Sequence, residues 1–340
     1  MSAPMNTMQP QPMAQPTREE LDRARAVVGA LSGAFSAKVV GQAGLQQSLL
    51  IGLFTGGHVL LESVPGLAKT TAARAVADAV QAKFRRIQCT PDLLPSDIIG
   101  TQIFDAAKGV FHTQLGPVHA NIVLLDEINR SSAKTQSAML EAMEERQTSI
   151  AGEIYKIPEP FLVLATPNPV DQEGTYPLPE AQMDRFMFKE VLTYPNPREE
   201  AEMVFRIDAG VYADHRTATV ASLDDILYIR DVVRRIYLDP AIVNYITQIV
   251  AVTRSPQQYL PANLARLIEY GASPRATIAF CKAARALALL SGRNHVLPDD
   301  IKALAHRVLR HRLILGFEAV AQNVTSEVLI DNIIAGVRTP

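Results

Sequence analysis

Residues 58–70 (HVLLESVPGLAKT) place an apolar run, a Pro/Gly loop and Lys69-Thr70 in immediate succession. A short apolar run that ends in a loop and not a hairpin turn fits a strand covered on both faces of a parallel sheet. The loop then has to deliver the chain into a helix, from about Thr70 to Ala82. The same alternation recurs downstream. Strands are expected at His58–Glu62, Phe84–Cys89, Asn121–Leu125, Phe161–Thr166 and Phe188–Thr193, with helical stretches between them. Strands alternating with helices predict an α/β fold, a doubly wound parallel sheet with helices on both faces. Thr17-Arg18-Glu19-Glu20 reads as a capping box opening a helix toward Phe35, and Gly41–Phe54 as a second helix.

Beyond Pro195-Asn196-Pro197 the pattern changes. Residues 197–340 show helical periodicity and few strand signals, with helix starts at Ser222, Ser273-Pro274 and Pro298-Asp299-Asp300. The expected organisation is a tail over 1–17, an α/β core over 18–196 and a smaller all-α lid over 197–340. The tail holds four Pro, four Met and three Gln and no aromatic residue, a composition expected to stay disordered.

Composition excludes little but orders the alternatives. The formal charge of −2 offers no electrostatic case for nucleic acid. Cys89 and Cys281 stand far apart, and read as small buried hydrophobes in a reducing compartment. The longest apolar stretch, Leu49–Leu61, is shorter than the roughly 20 residues of a membrane helix and is broken by Gly56-Gly57. The N-terminus lacks the pattern of a signal peptide. A cytoplasmic location is the simplest expectation.

Ser63-Val64-Pro65-Gly66-Leu67-Ala68-Lys69-Thr70 matches a phosphate-binding loop in context. The loop Pro65–Thr71 would bind ATP: the backbone N–H groups of Gly66, Leu67, Ala68, Lys69, Thr70 and Thr71 would wrap its phosphates, Lys69 would neutralise them, and Thr70 would reach Mg²⁺. The usual form is G-x-x-x-x-G-K-[ST]; Ser63 and Ala68 replace its two glycines. Each adds a Cβ beside a tight turn, which is harmless only where φ is negative. Ile122-Val123-Leu124-Leu125 then runs into Asp126 and Glu127. Asp126 at a strand end can hold Mg²⁺, and Glu127 can polarise an attacking water. Such a pair alone is equally a helix-start signal; together with the loop it describes a hydrolytic nucleotide site. Asn168, after the fourth strand, can orient the water, or be a turn residue before Pro169. Arg185 and Arg275 can stabilise phosphoryl charge, the latter from across the cleft, or serve in ion pairs.

Taken together, LLESVPGLAKT, LLDEINRSSAKTQSAMLEAMEE, ATPNPVDQEGTYPLPEAQMDRF and GASPRA resemble the MoxR family of AAA+ ATPases over residues 20–335. The resemblance implies that Lys69 and Thr70 are Walker A, Asp126 and Glu127 Walker B, Asn168 sensor 1 and Arg275 sensor 2. It makes Arg185 an arginine finger acting on a neighbouring subunit's ATP, and Val39-Val40-Gly41 a wall of the adenine pocket. It also implies a helix-2 insert over Pro95–Gly116, its tip at Ala106–Gly109, and a second hairpin within Met143–Pro160. Both hairpins would face a central pore, with Lys108 and Phe111 as substrate contacts, unless they are ordinary surface loops. A homo-oligomeric ring of six, chaperone-like maturation of protein clients, partners with von Willebrand factor A domains, and metal or cofactor insertion follow from the resemblance alone. Three other readings stay open here. One is a nucleic-acid motor, disfavoured by charge. Another is a magnesium-chelatase-like motor subunit, disfavoured by the residues around Asn129-Arg130. The last is a non-hydrolysing switch, disfavoured by Glu127.

Overall fold

The computed structural model describes residues 14–64, 66–168, 175–212 and 217–340. Most of the expected tail lies outside them. In chain order come α1 (Arg18–Lys38), α2 (Ala43–Thr55), β1 (Val59–Ser63), α3 (Lys69–Ala79) and β2 (Phe84–Gln88). A short α4 (Pro95–Ile99) leads into the hairpin β3 (Gly100–Asp105) and β4 (Val110–Leu115). Then follow β5 (Ile122–Asp126), α5 (Ala133–Glu145), the hairpin β6 (Gln147–Ile150) and β7 (Glu153–Lys156), β8 (Leu162–Thr166), α6 (Glu180–Met183) and β9 (Phe188–Leu192). The helical remainder is α7 (Pro197–Asp208), α8 (Leu223–Arg235), α9 (Pro240–Arg254), α10 (Ala262–Ala265), β10 (Ile268–Tyr270), α11 (Pro274–Leu290), α12 (Pro298–Leu309), β11 (Ile314–Leu315), α13 (Phe317–Ala321) and α14 (Ser326–Gly336).

Five parallel strands form one sheet in the order β2-β5-β8-β1-β9. The central strands β5 and β8 are buried almost throughout, which is why they read as unbroken apolar runs. One face of the sheet is covered by α1, α2 and α3, and that core continues without a break into α8, α9, α11 and α12. The other face packs against α5 through Met139, Leu140 and Met143, and against the insert through Ile98. The helical C-terminal region packs on the core: α2 contacts both α8 and α11, and α12 contacts β9.

The capping box forms as expected, Thr17 and Glu20 exchanging hydrogen bonds at the start of α1. Ser222 and Ser273 cap α8 and α11. Two antiparallel hairpins stand where they were expected, but β10 and β11 pair within the helical region, where no strand was expected.

Candidate active site

The loop between β1 and α3 opens a cleft of about 450 Å³ at the C-terminal ends of β1, β5 and β8. Gly66, Leu67, Ala68, Lys69, Thr70 and Thr71 line one side, and Asp126, Glu127, Thr166 and Asn168 the other. Pro65 lies outside the described residues. The two departures from the glycine pattern behave differently. Ser63 is extended at the end of β1, so its Cβ costs nothing, and its buried hydroxyl faces the cleft with no hydrogen-bond partner among the described residues. Ala68 sits at φ 54°, ψ 24°, in the left-handed region, as N-cap of α3. That conformation costs an L-residue about 1 kcal/mol relative to glycine.

Asp126 and Glu127 are positioned by strand register. Thr166 stands beside Asp126 in the β5–β8 ladder. Its hydroxyl donates to Asp126 Oδ1 at 2.7 Å and accepts from the Glu127 N–H at 3.1 Å. Arg86 on β2 donates to Asp126 Oδ2 through Nη2 at 2.6 Å and Nε at 3.1 Å. Burial alone would raise the Asp126 carboxyl. The Thr166 hydrogen bond, Arg86 and the charge of Lys69 outweigh it and hold the group below the usual carboxylate range. Glu127 has φ 57°, a strained position in the left-handed region, and Arg130 Nη1 donates to its Oε2 at 3.0 Å. Asn168 is locked through its backbone: its N–H donates to Asn129 Oδ1 at 2.7 Å, and Asn129 Nδ2 returns a bond to its carbonyl at 3.1 Å.

A second cavity of about 400 Å³ adjoins the cleft through Ala68, Thr70 and Thr71. Val39 and Val40 line it, as does Arg74 of α3; Met203 and Tyr212 close it from the side of α7. Gly41 does not line the cavity; at φ 71° it turns the chain, and a Cβ there would meet the Glu199 carboxylate at 2.7 Å. The room and the mixed apolar lining suit a purine next to the phosphate cleft.

Arg185 and Arg275 are brought together, but not at the cleft. Arg185 Nε lies 3.1 Å from Glu144 Oε2 at the end of α5. Arg275 binds the other oxygen of the same carboxylate and lies 3.9 Å from Asp184. Arg275, expected to reach the γ-phosphate across the cleft, stands outside it here, because the Ser273 hydroxyl donates to Asp184 Oδ2 at 2.7 Å and pins the start of α11 beside Arg185.

Comparison with known proteins agrees with the fold. A family model described as "ATPase family associated with various cellular activities (AAA)" matches residues 58–188, and one described as "AAA lid domain" matches 262–333. "Chaperone MoxR1" of Mycobacterium tuberculosis is 45% identical over 302 residues, 89% of this chain and 79% of that protein. "Protein MoxR" of Methylorubrum extorquens is 31% identical over 82% of this chain and 84% of its own length. A solved structure from Cytophaga hutchinsonii, described as a candidate ATPase, superposes with a TM-score of 0.89 at 44% identity, covering 95% of this chain and 97% of that one. The chain belongs to the MoxR family of AAA+ ATPases.

For a MoxR-family site, the oxygen donors fit Mg²⁺. The Thr70 hydroxyl and Asp126 carboxylate line one cleft, and Mg²⁺ in nucleotide sites is held by one or two such groups together with phosphate oxygens. The sequence alone gave no role in the site to Thr166, Arg86, Asn129, Arg130, Met203 or Tyr212. Thr166 follows from aligning β5 with β8 by their acidic and polar ends; for Arg86 and Tyr212 no local signal exists. Among the described residues no helix is long and apolar enough to cross a membrane.

Proposed function

We propose that this protein hydrolyses ATP as a closed head-to-tail ring, built of six subunits in the cytoplasm, and uses the cycle to remodel protein clients. The observation that carries the reading is the separation of parts. Lys69, Thr70, Asp126 and Glu127 share one cleft, while Arg185 and Arg275 sit together on Glu144 outside it. A site with its charge-stabilising arginines elsewhere on the surface is completed by a second copy, and contacts of that heterologous kind close into rings.

In this mechanism Lys69 and the loop amides hold the β- and γ-phosphates, and the purine enters the cavity of Val39, Val40 and Tyr212. Thr70 and Asp126 would hold Mg²⁺, which supplies charge neutralisation at the phosphate oxygens. Glu127 leaves Arg130 to orient and deprotonate water, with Asn168 beside it. The neighbour's Arg185 and Arg275 leave Glu144 for the γ-phosphate, stabilising the transition state. Glu144 ends α5, which continues into β6–β7; Thr113 of β4 and Tyr155 of β7 join the two hairpins, their hydroxyl oxygens 2.8 Å apart. Release of Glu144 is thereby passed to β3–β4.

That hairpin favours a protein client over nucleic acid. Phe104 and Phe111 are exposed and packed together across the strands with ring centroids 5.0 Å apart, and Lys108 at the tip pairs with Asp105 at 3.6 Å. Apolar, not basic, side chains are presented. The chaperone name of the mycobacterial relative supports client maturation, and a partner with a von Willebrand factor A domain, or metal or cofactor insertion, is a further part of this proposal. The test is subunit mixing. Lys69→Ala and Arg185→Ala proteins should each be inactive and together regain ATPase activity; no recovery on mixing folded proteins would rule out the shared site.

A further inference from the structure

Helix α7 is built with its polar side inward. The Glu199 carboxylate lies against Gly41, Arg206 donates to the carbonyls of Ser36 at 2.7 Å and Ala37 at 3.3 Å, and Met203 lines the base cavity. Its apolar residues Val204, Phe205 and Ile207 face solvent, Phe205 being 67% exposed, and no residue of the helix is buried. Glu200 and Asp208 are exposed on the same helix. A contiguous apolar patch rimmed by charge marks a contact surface.

The complementary chemistry lies on α11. Ile278 is 54% exposed, between Arg275 and Lys282 on one helical face. Around it, Arg185 and Arg275 share Glu144, while Arg146 and Arg230 share Glu159 at 3.8 and 3.2 Å. Eight arginine and lysine side chains against four carboxylates, Asp184 and Asp231 among them, leave the surface cationic.

We propose that these surfaces are the two halves of one interface, the outer face of α7 in one copy seating on the Ile278 face of α11 in the next. The inference rests on the shared-site reading above and names the surfaces that build it. Two observations make a second copy the occupant. Arg275, one turn from Ile278, has to reach a neighbour's phosphates, and α7 forms the rim of the cavity that adjoins those phosphates. The apolar-acidic face of α7 also complements the apolar-cationic face of α11.

Short-span cross-linking tests this. In a Cys281→Ser background, Phe205→Cys and Ile278→Cys proteins are prepared separately, mixed with ATP and treated with a short bismaleimide. The expected result is a covalent dimer in the mixture and in neither protein alone. Absence of that dimer, while the same mixture sediments as an oligomer, overturns the pairing and leaves the ring intact. A wild-type chain that stays monomeric with ATP at every concentration overturns the ring and this interface together. Phe205→Glu provides an independent arm: it should bind ATP as a monomer and lose nucleotide-dependent assembly, and unchanged assembly contradicts the proposal.

Discussion

Thr166 holds both of the residues that carry the candidate catalytic carboxylates, although no local motif names it. Its one hydroxyl fixes Asp126 and the backbone of Glu127 at once. Thr166→Val keeps the shape but removes both bonds, leaving Arg86 and Lys69 alone to offset the effect of burial on the Asp126 carboxyl. Hydrogen bonds to charged groups are worth roughly 1.5–3 kcal/mol, so steady-state ATPase should fall at least about tenfold, with the fold unchanged by circular dichroism. Ala68 offers the opposite test. Because its φ of 54° is strained for an L-residue, Ala68→Gly should raise the unfolding free energy by about 1 kcal/mol in urea titrations; a loss of stability would mean that the turn is not strained there. Lys69, Thr70, Asp126 and Glu127 were legible because each belongs to a contiguous strand–loop–helix pattern. Thr166 and Arg86 were not, since their roles come from neighbouring strands 40 residues away in sequence. Where Arg275 stands was not legible either, because its position is set by the Ser273–Asp184 bond between distant segments.

At the scale of elements, the critical joint is between the end of α12 and the turn before β9. The Arg312 side chain is 2% exposed, pairs with Asp184 Oδ1 at 2.7 Å and donates to the carbonyls of Asp184, Phe186, Met187 and Val308. Removing one partner of a buried pair typically costs 3–5 kcal/mol. Arg312→Ala should lower the urea midpoint accordingly and also release the turn that holds Arg185. A midpoint within error of wild type would mean the joint is not a structural tie. In the hairpin, replacing Phe104 and Phe111 by Ser should leave basal ATPase intact and abolish stimulation by a client protein. The central strands were visible in sequence because burial on both faces makes them apolar throughout. The pair β10–β11 was not, because two strands of three and two residues with a register shift carry no periodicity to read.

Across the whole molecule, one core runs from α1 through the sheet into the C-terminal helices, so the chain should unfold as a unit on acidification. His58 sits in that frame, accepting from the Val163 N–H at 3.1 Å and donating to the Met143 carbonyl at 3.2 Å. Burial, and then the charge of Arg146, push its pKa from 6.5 to about 4. Burial and the charge of Arg312 likewise press His311 well below its ordinary value. Both groups are neutral in the fold and protonate more readily when unfolded. Stability from this source is therefore complete above pH 6.5 and declines as pH falls toward 4. For His58 the loss amounts to about 3 kcal/mol, measurable as a falling urea midpoint between pH 7 and pH 4.5. The central claim is that one subunit supplies Lys69 and Glu127 while the next supplies Arg185 and Arg275. The most direct measurement is specific ATPase activity against protein concentration, for wild type and Arg185→Ala side by side. The account predicts a specific activity that rises with concentration to a plateau in wild type and stays near background in the variant. A rate independent of concentration and unchanged by Arg185→Ala would contradict it.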